Sequence, residues 1–330
     1  MRAVIQHEYG RAEVLQLGIE PVPTPAPGEV LVRVVAAGLD RGVWHMVAGK
    51  PYLMRIMGFG LRRPKTRIPG MDLAGTVEAV GRGVTRFKAG DAVLGTAIGA
   101  GAFAEFAKLG ESQLVHKPAN LSFEQAAALP VSALAALKAV RDVAKVQAGQ
   151  HVLVIGAGGG VGSYAVQIAK AQGARVTGVA STGKLKHVLE LGADDVIDYT
   201  RQDFAQAGPR FDVILDIAGN RTLKHLRRAL KPRGTLVIVG GENGGSWFGG
   251  IDRQLRAMLL SAFTRQKLTS FVSTVSQSAL TDVARLAQDG AITPVVDRTF
   301  SLAQAPQAFE YLENAKARGK IVITTTLTAA

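Results

Sequence analysis

The segment with the most chemical content is Val152-Leu153-Val154-Ile155-Gly156-Ala157-Gly158-Gly159-Gly160-Val161-Gly162. A β-branched run passes into a glycine turn and then into a helical pattern, with Val161, Tyr164, Ala165, Ile168 and Ala169 on one face. Ala157, Gly159 and Gly162 keep the spacing of the dinucleotide fingerprint, with Ala in place of its first glycine. In such a loop Gly159 lets the main chain approach a pyrophosphate, and Gly162 lets the helix lie close against the sheet. The helix N-terminus offers unpaired N–H groups and partial positive charge. Ala157, Gly158, Gly159, Gly160, Val161 and Gly162 are therefore candidate cofactor contacts. A glycine run also suits any tight turn, so the reading depends on the strands and helices around it.

The next strand bears on which dinucleotide is bound. An NAD site places Asp or Glu at that strand's end, about 20 residues after the loop, to hold the ribose 2′-hydroxyl. Here the strand ends in Ala180-Ser181-Thr182-Gly183-Lys184-Leu185-Lys186, and the first acid after it is Glu190. Hydroxyls and lysines suit a 2′-phosphate. Ser181, Thr182 and Lys184 are expected contacts of NADP, while Lys186 also fits a solvated helix start. NADPH is favoured over NADH.

These residues need a particular scaffold. Residues 151–155, 175–180, 196–199, 211–215 and 235–239 read as strands with helical segments between most of them. That pattern predicts a parallel sheet covered by helices. Residues 123–145 are rich in Ala and Leu and read as helical, with Ser122 as N-cap and Gln125 three residues later. Before Ser122 the chain is β-rich, with strands at 30–37, 75–80 and 91–95 broken by Gly and Pro. Such a pattern suggests a small irregular barrel. A helix at 279–288, a strand near 294–300, a helix near 305–315 and a strand at 320–325 complete the chain.

Composition removes several classes of chemistry. The 330 residues include no cysteine, so disulfides, thiolate zinc sites and cysteine nucleophiles are excluded. Lys and Arg exceed Asp and Glu by 39 − 26 = 13. One basic stretch holds Arg55, Arg62, Arg63, Lys65 and Arg67, and another holds Arg221, Lys224, Arg227, Arg228, Lys231 and Arg233. No zinc finger or aromatic RNA-binding motif accompanies them, so nucleic acid is not the expected partner. Residues 52–59 mix apolar and basic residues, and the basic stretch 55–67 reads first as a lid or pocket wall, with a membrane-surface contact or a solvated face as alternatives. The first residues lack the apolar core of a secretion signal. No apolar run approaches the roughly 18–20 residues needed to span a bilayer. The expectation is a cytoplasmic protein without an integral membrane segment.

At this point the sequence resembles the medium-chain dehydrogenase/reductase superfamily, in its zinc-independent, quinone oxidoreductase-like branch. The resemblance covers nearly the whole chain. It rests on Gly28-Glu29-Val30-Leu31-Val32, Pro69-Gly70-Met71-Asp72-Leu73-Ala74-Gly75, Phe87-Lys88-Ala89-Gly90-Asp91-Ala92-Val93 and Ala102-Phe103-Ala104-Glu105-Phe106. The glycine loop, Leu191-Gly192-Ala193-Asp194-Asp195-Val196-Ile197-Asp198-Tyr199 and Gly319-Lys320-Ile321-Val322-Ile323 add to it. The resemblance implies an α/β protein in which a Rossmann domain, residues 123–290, is inserted in a GroES-like barrel domain of residues 1–122 plus 291–330. It implies a homodimer, and further cofactor contacts at Tyr199, Ala218, Gly240 and Lys320.

Zinc-dependent relatives bind zinc at positions corresponding here to Asp40, Met71 and the cysteine-free stretch 131–135. Asp40, His45 and Asp72 do not have the spacing of a replacement site, so no metal is expected. Relatives carry Asn at the place of Asp40 and often Thr at the place of Ala135. The resemblance places Asp40 beside the nicotinamide as a candidate catalytic residue; it reads equally as an N-cap or as an ion-pair partner of Arg41.

Without a Lewis acid the acceptor must already be electron-poor, so a quinone or an α,β-unsaturated carbonyl is the expected substrate. A proton must follow the hydride. Tyr52 and His45 are candidate donors, with half-buried packing and a plain surface or core imidazole as their ordinary readings. Alternatives on the same scaffold are an enoyl-thioester or alkenal reductase, an alcohol dehydrogenase, or a non-catalytic NADPH-binding redox sensor.

Overall fold

The structure, a computed structural model, describes residues 1–206, 208, 210–241 and 244–325. The chain divides into two compact units. One contains Met1–Leu134, Thr274–Gly290 and Pro294–Ala330, and the other Ala135–Ser273 and Ala291–Thr293. The sequence-based limits were 122/123 and 290/291. The exchange falls later at the first crossing and earlier at the second.

The first unit is organised around the strand Glu29–Leu39. Its residues alternate between a near-continuous apolar set and a few polar positions, which a strand buried along most of its length requires. It pairs antiparallel with Asp72–Val80, and register shifts at Leu31/Val32 and Val34/Ala36 bend it. Its other edge is shared. Residues 29–33 pair with Phe106–Gly110, and residues 36–39 pair with the C-terminal strand Lys320–Thr324. The sheet continues through Val296–Ser301 on one side and through Ala92–Thr96 and Leu114–His116 on the other. The C-terminal segment thus closes the sheet begun by the N-terminal one. Val30, Val32, Leu73, Val93, Phe103, Phe309 and Ile321 lie in one buried apolar cluster inside it.

One detail differs from the helical pattern expected over 123–145. Ser122 and Gln125 do form the reciprocal cap of a helix, Phe123–Ala127. That helix stops, however, and a second one starts at Pro130 and runs to Leu137. Proline has no N–H to donate into a preceding turn, but it fits the first position of a new helix.

The second unit is a parallel sheet with neighbours in the order Asp195–Asp198, Arg175–Ala180, His151–Ile155, Phe211–Asp216, Leu230–Ile238 and Lys267–Ser270. Numbered along the chain, this is 3-2-1-4-5-6, the doubly wound order whose direction reverses between the first and fourth strands. Leu153, Ile155, Ile214, Leu226, Leu236 and Ala257 belong to the core cluster of this unit.

Candidate active site

In the second unit the expected cofactor residues gather at the carboxyl ends of the parallel strands, where open α/β sheets bind ligands. The strand His151–Ile155 ends at Gly156, whose φ is +89°. Its neighbour Phe211–Asp216 ends beside it, and a Cβ on Gly156 would come within 3.2 Å of the Ala218 nitrogen. A Cβ on Gly240, beyond the next strand, would meet the Ile217 carbonyl oxygen at 2.0 Å. Gly156, Ala218 and Gly240 are thus packed main chain to main chain around the reversal point of the sheet.

The helix Gly160–Ala171 starts from this turn, and Gly159 precedes it in extended conformation with no side-chain cap. Its first N–H groups are left for another acceptor. Gly162 is required by the fold, since a Cβ there would sit 2.1 Å from the Gly156 oxygen. At Gly159 the nearest atom to an added Cβ is 3.5 Å away, so nothing in the chain demands a glycine there. A glycine that the packing does not need, at an uncapped helix start, fits a loop kept bare for a dinucleotide pyrophosphate.

Ser181 and Thr182 follow the strand Arg175–Ala180, and Lys184 lies on the turn after them. The aliphatic stem of Lys184 lies over the loop, within 3.0 Å of where a Gly158 Cβ would be. Lys186 pairs with Glu190 one helical turn on, at 3.8 Å, which fits its reading as a solvated helix residue. Tyr199 follows the edge strand Asp195–Asp198, half exposed, under the Arg221 guanidinium at 5.8 Å.

One neighbour was hidden by sequence distance. The Thr182 hydroxyl donates to Asp198 at 2.5 Å, and the Thr200 hydroxyl to the same carboxylate at 2.7 Å. These hydrogen bonds hold the Asp198 carboxyl below the usual range. No acid follows Ala180 directly, but an adjacent parallel strand delivers one to Thr182.

A second missed group lies at the end of the strand Phe211–Asp216. Asp216 is fully buried and ion-paired with Arg253 of the helix Ile251–Ala262. The Gly219 N–H also donates to it at 3.2 Å. Burial raises the Asp216 carboxyl, and the Arg253 charge opposes that rise.

The first unit holds the expected catalytic residues. Asp40 caps the helix Arg41–Ala48, with its Oδ1 accepting from the Val43 N–H at 3.0 Å. This is the N-cap reading of the sequence. Its Oδ2 faces the Lys320 ammonium at 3.6 Å. Lys320 is 1% exposed; it donates to the Ser132 hydroxyl at 2.9 Å and lies 3.5 Å from Asp72 Oδ2. Asp72 is wholly buried and accepts from the Val131 N–H at 3.0 Å. Burial pushes its carboxyl up to about 7; the Lys320 charge opposes this and the Asp40 carboxylate adds to it.

The sequence placed Lys320 among the cofactor contacts. The geometry gives its ammonium another occupation, as shared counter-ion of two carboxylates. Among the described residues no three of His, Asp and Glu converge as a metal ligand set. Asp40 and Asp72 face an ammonium instead.

His45 lies on the same helix as the Asp40 cap, with Nδ1 2.8 Å from the Lys50 carbonyl oxygen. A carbonyl only accepts, so Nδ1 carries the hydrogen, and Nε2 keeps a lone pair unless the ring is protonated. Tyr52 opens the next short helical turn, its ring 4.8 Å from the Arg55 guanidinium.

Similarity to known proteins gives the family and the fold. A family model described as an alcohol dehydrogenase GroES-like domain matches residues 26–119. Another, described as zinc-binding dehydrogenase, matches residues 191–323. The chain is 30% identical to a chloroplastic quinone oxidoreductase of Triphysaria versicolor, over 98% of each chain. It is 32% identical to the 2-methylene-furan-3-one reductase of Solanum lycopersicum, over 98% of this chain and 79% of that one. A mycobacterial protein solved in complex with NADPH, 28% identical, superposes with a TM-score of 0.84 over 98% of this chain and 100% of that one. A helix in any of these units long and apolar enough to cross a membrane is absent among the described residues. With relatives matched from end to end, a doubly wound sheet, and Met71 and Asp40 where zinc-dependent relatives place ligands, the chain is a member of the medium-chain dehydrogenase/reductase superfamily, in its zinc-independent, quinone oxidoreductase-like branch.

Proposed function

We propose that the protein is an NADPH-dependent reductase of quinones or α,β-unsaturated carbonyl compounds that works without zinc. The observation that carries the cofactor half is the bare, uncapped loop at Gly159 with the Lys184 stem across Gly158. NADPH, when bound, supplies the hydride. The loop N–H groups would hold its pyrophosphate, and Ser181 and Lys184 its 2′-phosphate, while the Thr182 hydroxyl, expected there from the sequence, donates to Asp198 instead. Asp198 opposes that preference, since two threonine hydroxyls hold it ionised, and Arg201 at 3.8 Å offsets part of its charge. Tyr199, Ala218 and Gly240 would line the remaining length of the cofactor.

The acceptor half rests on what the first unit lacks. It has no cysteine, and the two carboxylates near the expected zinc positions, Asp40 and Asp72, share one ammonium, that of Lys320. An alcohol must lose its proton as hydride leaves, and a metal is how zinc relatives achieve this. A quinone or enone needs only a proton delivered after hydride arrives. Tyr52 is the better donor of the two candidates, because neutral His45 uses its ring hydrogen on the Lys50 carbonyl. Asp40 positions the helix that carries His45.

The furanone reductase relative favours a second reading, reduction of alkenals or enoyl thioesters at the same site. We also propose a homodimer, since the strand Lys267–Ser270 ends the parallel sheet and offers its free edge for pairing; light scattering reads the mass. The test of function is a paired assay: NADPH oxidation with quinones, enones and enoyl thioesters, and NADP⁺ reduction with benzyl alcohol. Quinone or enone turnover is expected, with Tyr52→Phe slowing enones more than quinones. Brisk alcohol oxidation without reductase activity overturns the reading.

A further inference from the structure

We propose that the projecting turn formed by residues 55–65 is a membrane-surface contact that seats the protein on anionic lipid bilayers. The inference stands on this turn alone and does not depend on the reaction proposed above.

The base of the turn is built. The Arg55 guanidinium lies 4.2 Å from the Tyr9 ring and 4.8 Å from the Tyr52 ring, and its Nε donates to the Gly49 carbonyl at 2.8 Å. The Tyr9 hydroxyl reaches the Phe59 and Gly60 carbonyls at 3.0 and 2.7 Å. The Lys65 N–H closes the loop onto Phe59 at 3.0 Å. Gly60 has φ +113°, and a Cβ there would meet the Arg63 oxygen at 2.1 Å. The tip is therefore held out by specific contacts at its foot.

What it holds out is apolar. Ile56 is 70% exposed, Met57 69%, Leu61 66% and Phe59 42%. Single exposed apolar residues need no explanation, but four within six positions do. Arg62, Arg63 and Lys65 follow at once, all exposed, with no acidic partner among the described residues. The next cation, Arg67, is used by Glu20 at 3.3 Å. An apolar tip with a basic collar matches the two layers of a membrane interface, acyl boundary and anionic headgroups. The collar also argues against a second copy as occupant, because a two-fold contact would oppose like charges.

The probe is vesicle flotation of the full chain, on phosphatidylcholine alone and on phosphatidylcholine mixed with phosphatidylglycerol. Partition onto the anionic vesicles is expected, weakening as salt rises. Each collar cation near the surface contributes about fivefold. Arg62→Glu/Arg63→Glu/Lys65→Glu should lower partition by about tenfold or more, and so should Ile56→Ser/Met57→Ser/Leu61→Ser. Lys224→Glu/Arg228→Glu/Arg233→Glu makes the same change of net charge on another exposed basic face. It should leave partition within about twofold if the collar itself, and not net charge alone, makes the contact. Circular dichroism confirms that each variant is folded. The proposal fails if anionic vesicles do not recruit the protein, if neutral vesicles recruit it equally, or if the control triple variant loses as much as the collar variant. It also fails if the tip variants change KM for a water-soluble quinone while vesicle binding stays as in the parent, which is the behaviour of a lid.

Discussion

The glycine loop of the second unit and the carboxylate–ammonium cluster of the first are both candidate functional centres, built in opposite ways. The loop is a run of seven consecutive positions, 156–162, whose chemistry lies in the main chain. The cluster takes Asp40, Asp72, Ser132 and Lys320 from four distant places in the chain; Asp72 and Lys320 are 248 residues apart. In the loop the side chains must be absent for a ligand to approach. In the cluster they must all be present, because Lys320 and Asp72 are buried and each relies on the other members for a partner. Loss of Gly159, which the packing does not need, should therefore act on binding, and loss of a charged residue of the cluster on folding.

The largest effect expected from this contrast is at Lys320. Lys320→Met leaves the buried Asp72 and the partly buried Asp40 without their counter-ion, and removing one partner of a buried pair costs about 3–5 kcal/mol. Urea unfolding should show a midpoint drop of that order. A loss under about 1 kcal/mol would mean that the cluster is hydrated in solution.

The same cluster predicts a pH dependence. With its folded value raised to about 7, Asp72 keeps its proton in the folded chain at pH values where the unfolded chain has lost it. Its contribution is full below the unfolded value of about 3.9. It declines as pH rises from there to about 7, by up to about 1.4 kcal/mol per pH unit. Asp72→Asn should flatten this part of the stability profile, and identical profiles for the two proteins would remove Asp72 as its source.

The loop makes a subtler prediction. Gly159→Ala meets no atom closer than 3.5 Å, so stability should change little. NADPH affinity, read by fluorescence titration, should fall by about tenfold, or about 1.4 kcal/mol. Gly162→Ala, with its Cβ 2.1 Å from the Gly156 oxygen, should instead lower stability and binding together. If Gly159→Ala binds as the parent does, the pyrophosphate is not held at this loop.

The smallest expected effect separates NADP from NAD. Lys184→Ala should weaken NADPH by about fivefold, the scale of one part-exposed charge contact, and leave NADH within about twofold. Equal losses for both, or tighter binding of NADH by the parent, would make Asp198 rather than Lys184 the residue that sets cofactor choice.

The sequence alone determined the parts that are local. Strand, glycine turn and helix at 151–171 are contiguous, and their periodicity and spacing carry the dinucleotide loop directly. The alternation that follows carries the doubly wound sheet, and Ser122 with Gln125 carries a helix cap. Tertiary structure alone decided the rest. Asp198 reaches Thr182 only because their strands are neighbours in the sheet, at a separation of 16 residues. Lys320 reads as part of a C-terminal motif until the strand that carries it pairs with Glu29–Leu39 and brings its ammonium to Asp40 and Asp72. Arg253 likewise shows no mark in sequence of its pairing with Asp216. The physical reason is that main-chain geometry is set by residues within a turn or two. A buried charge is neutralised by whichever group the packing brings within a few ångströms, and no local pattern records that choice.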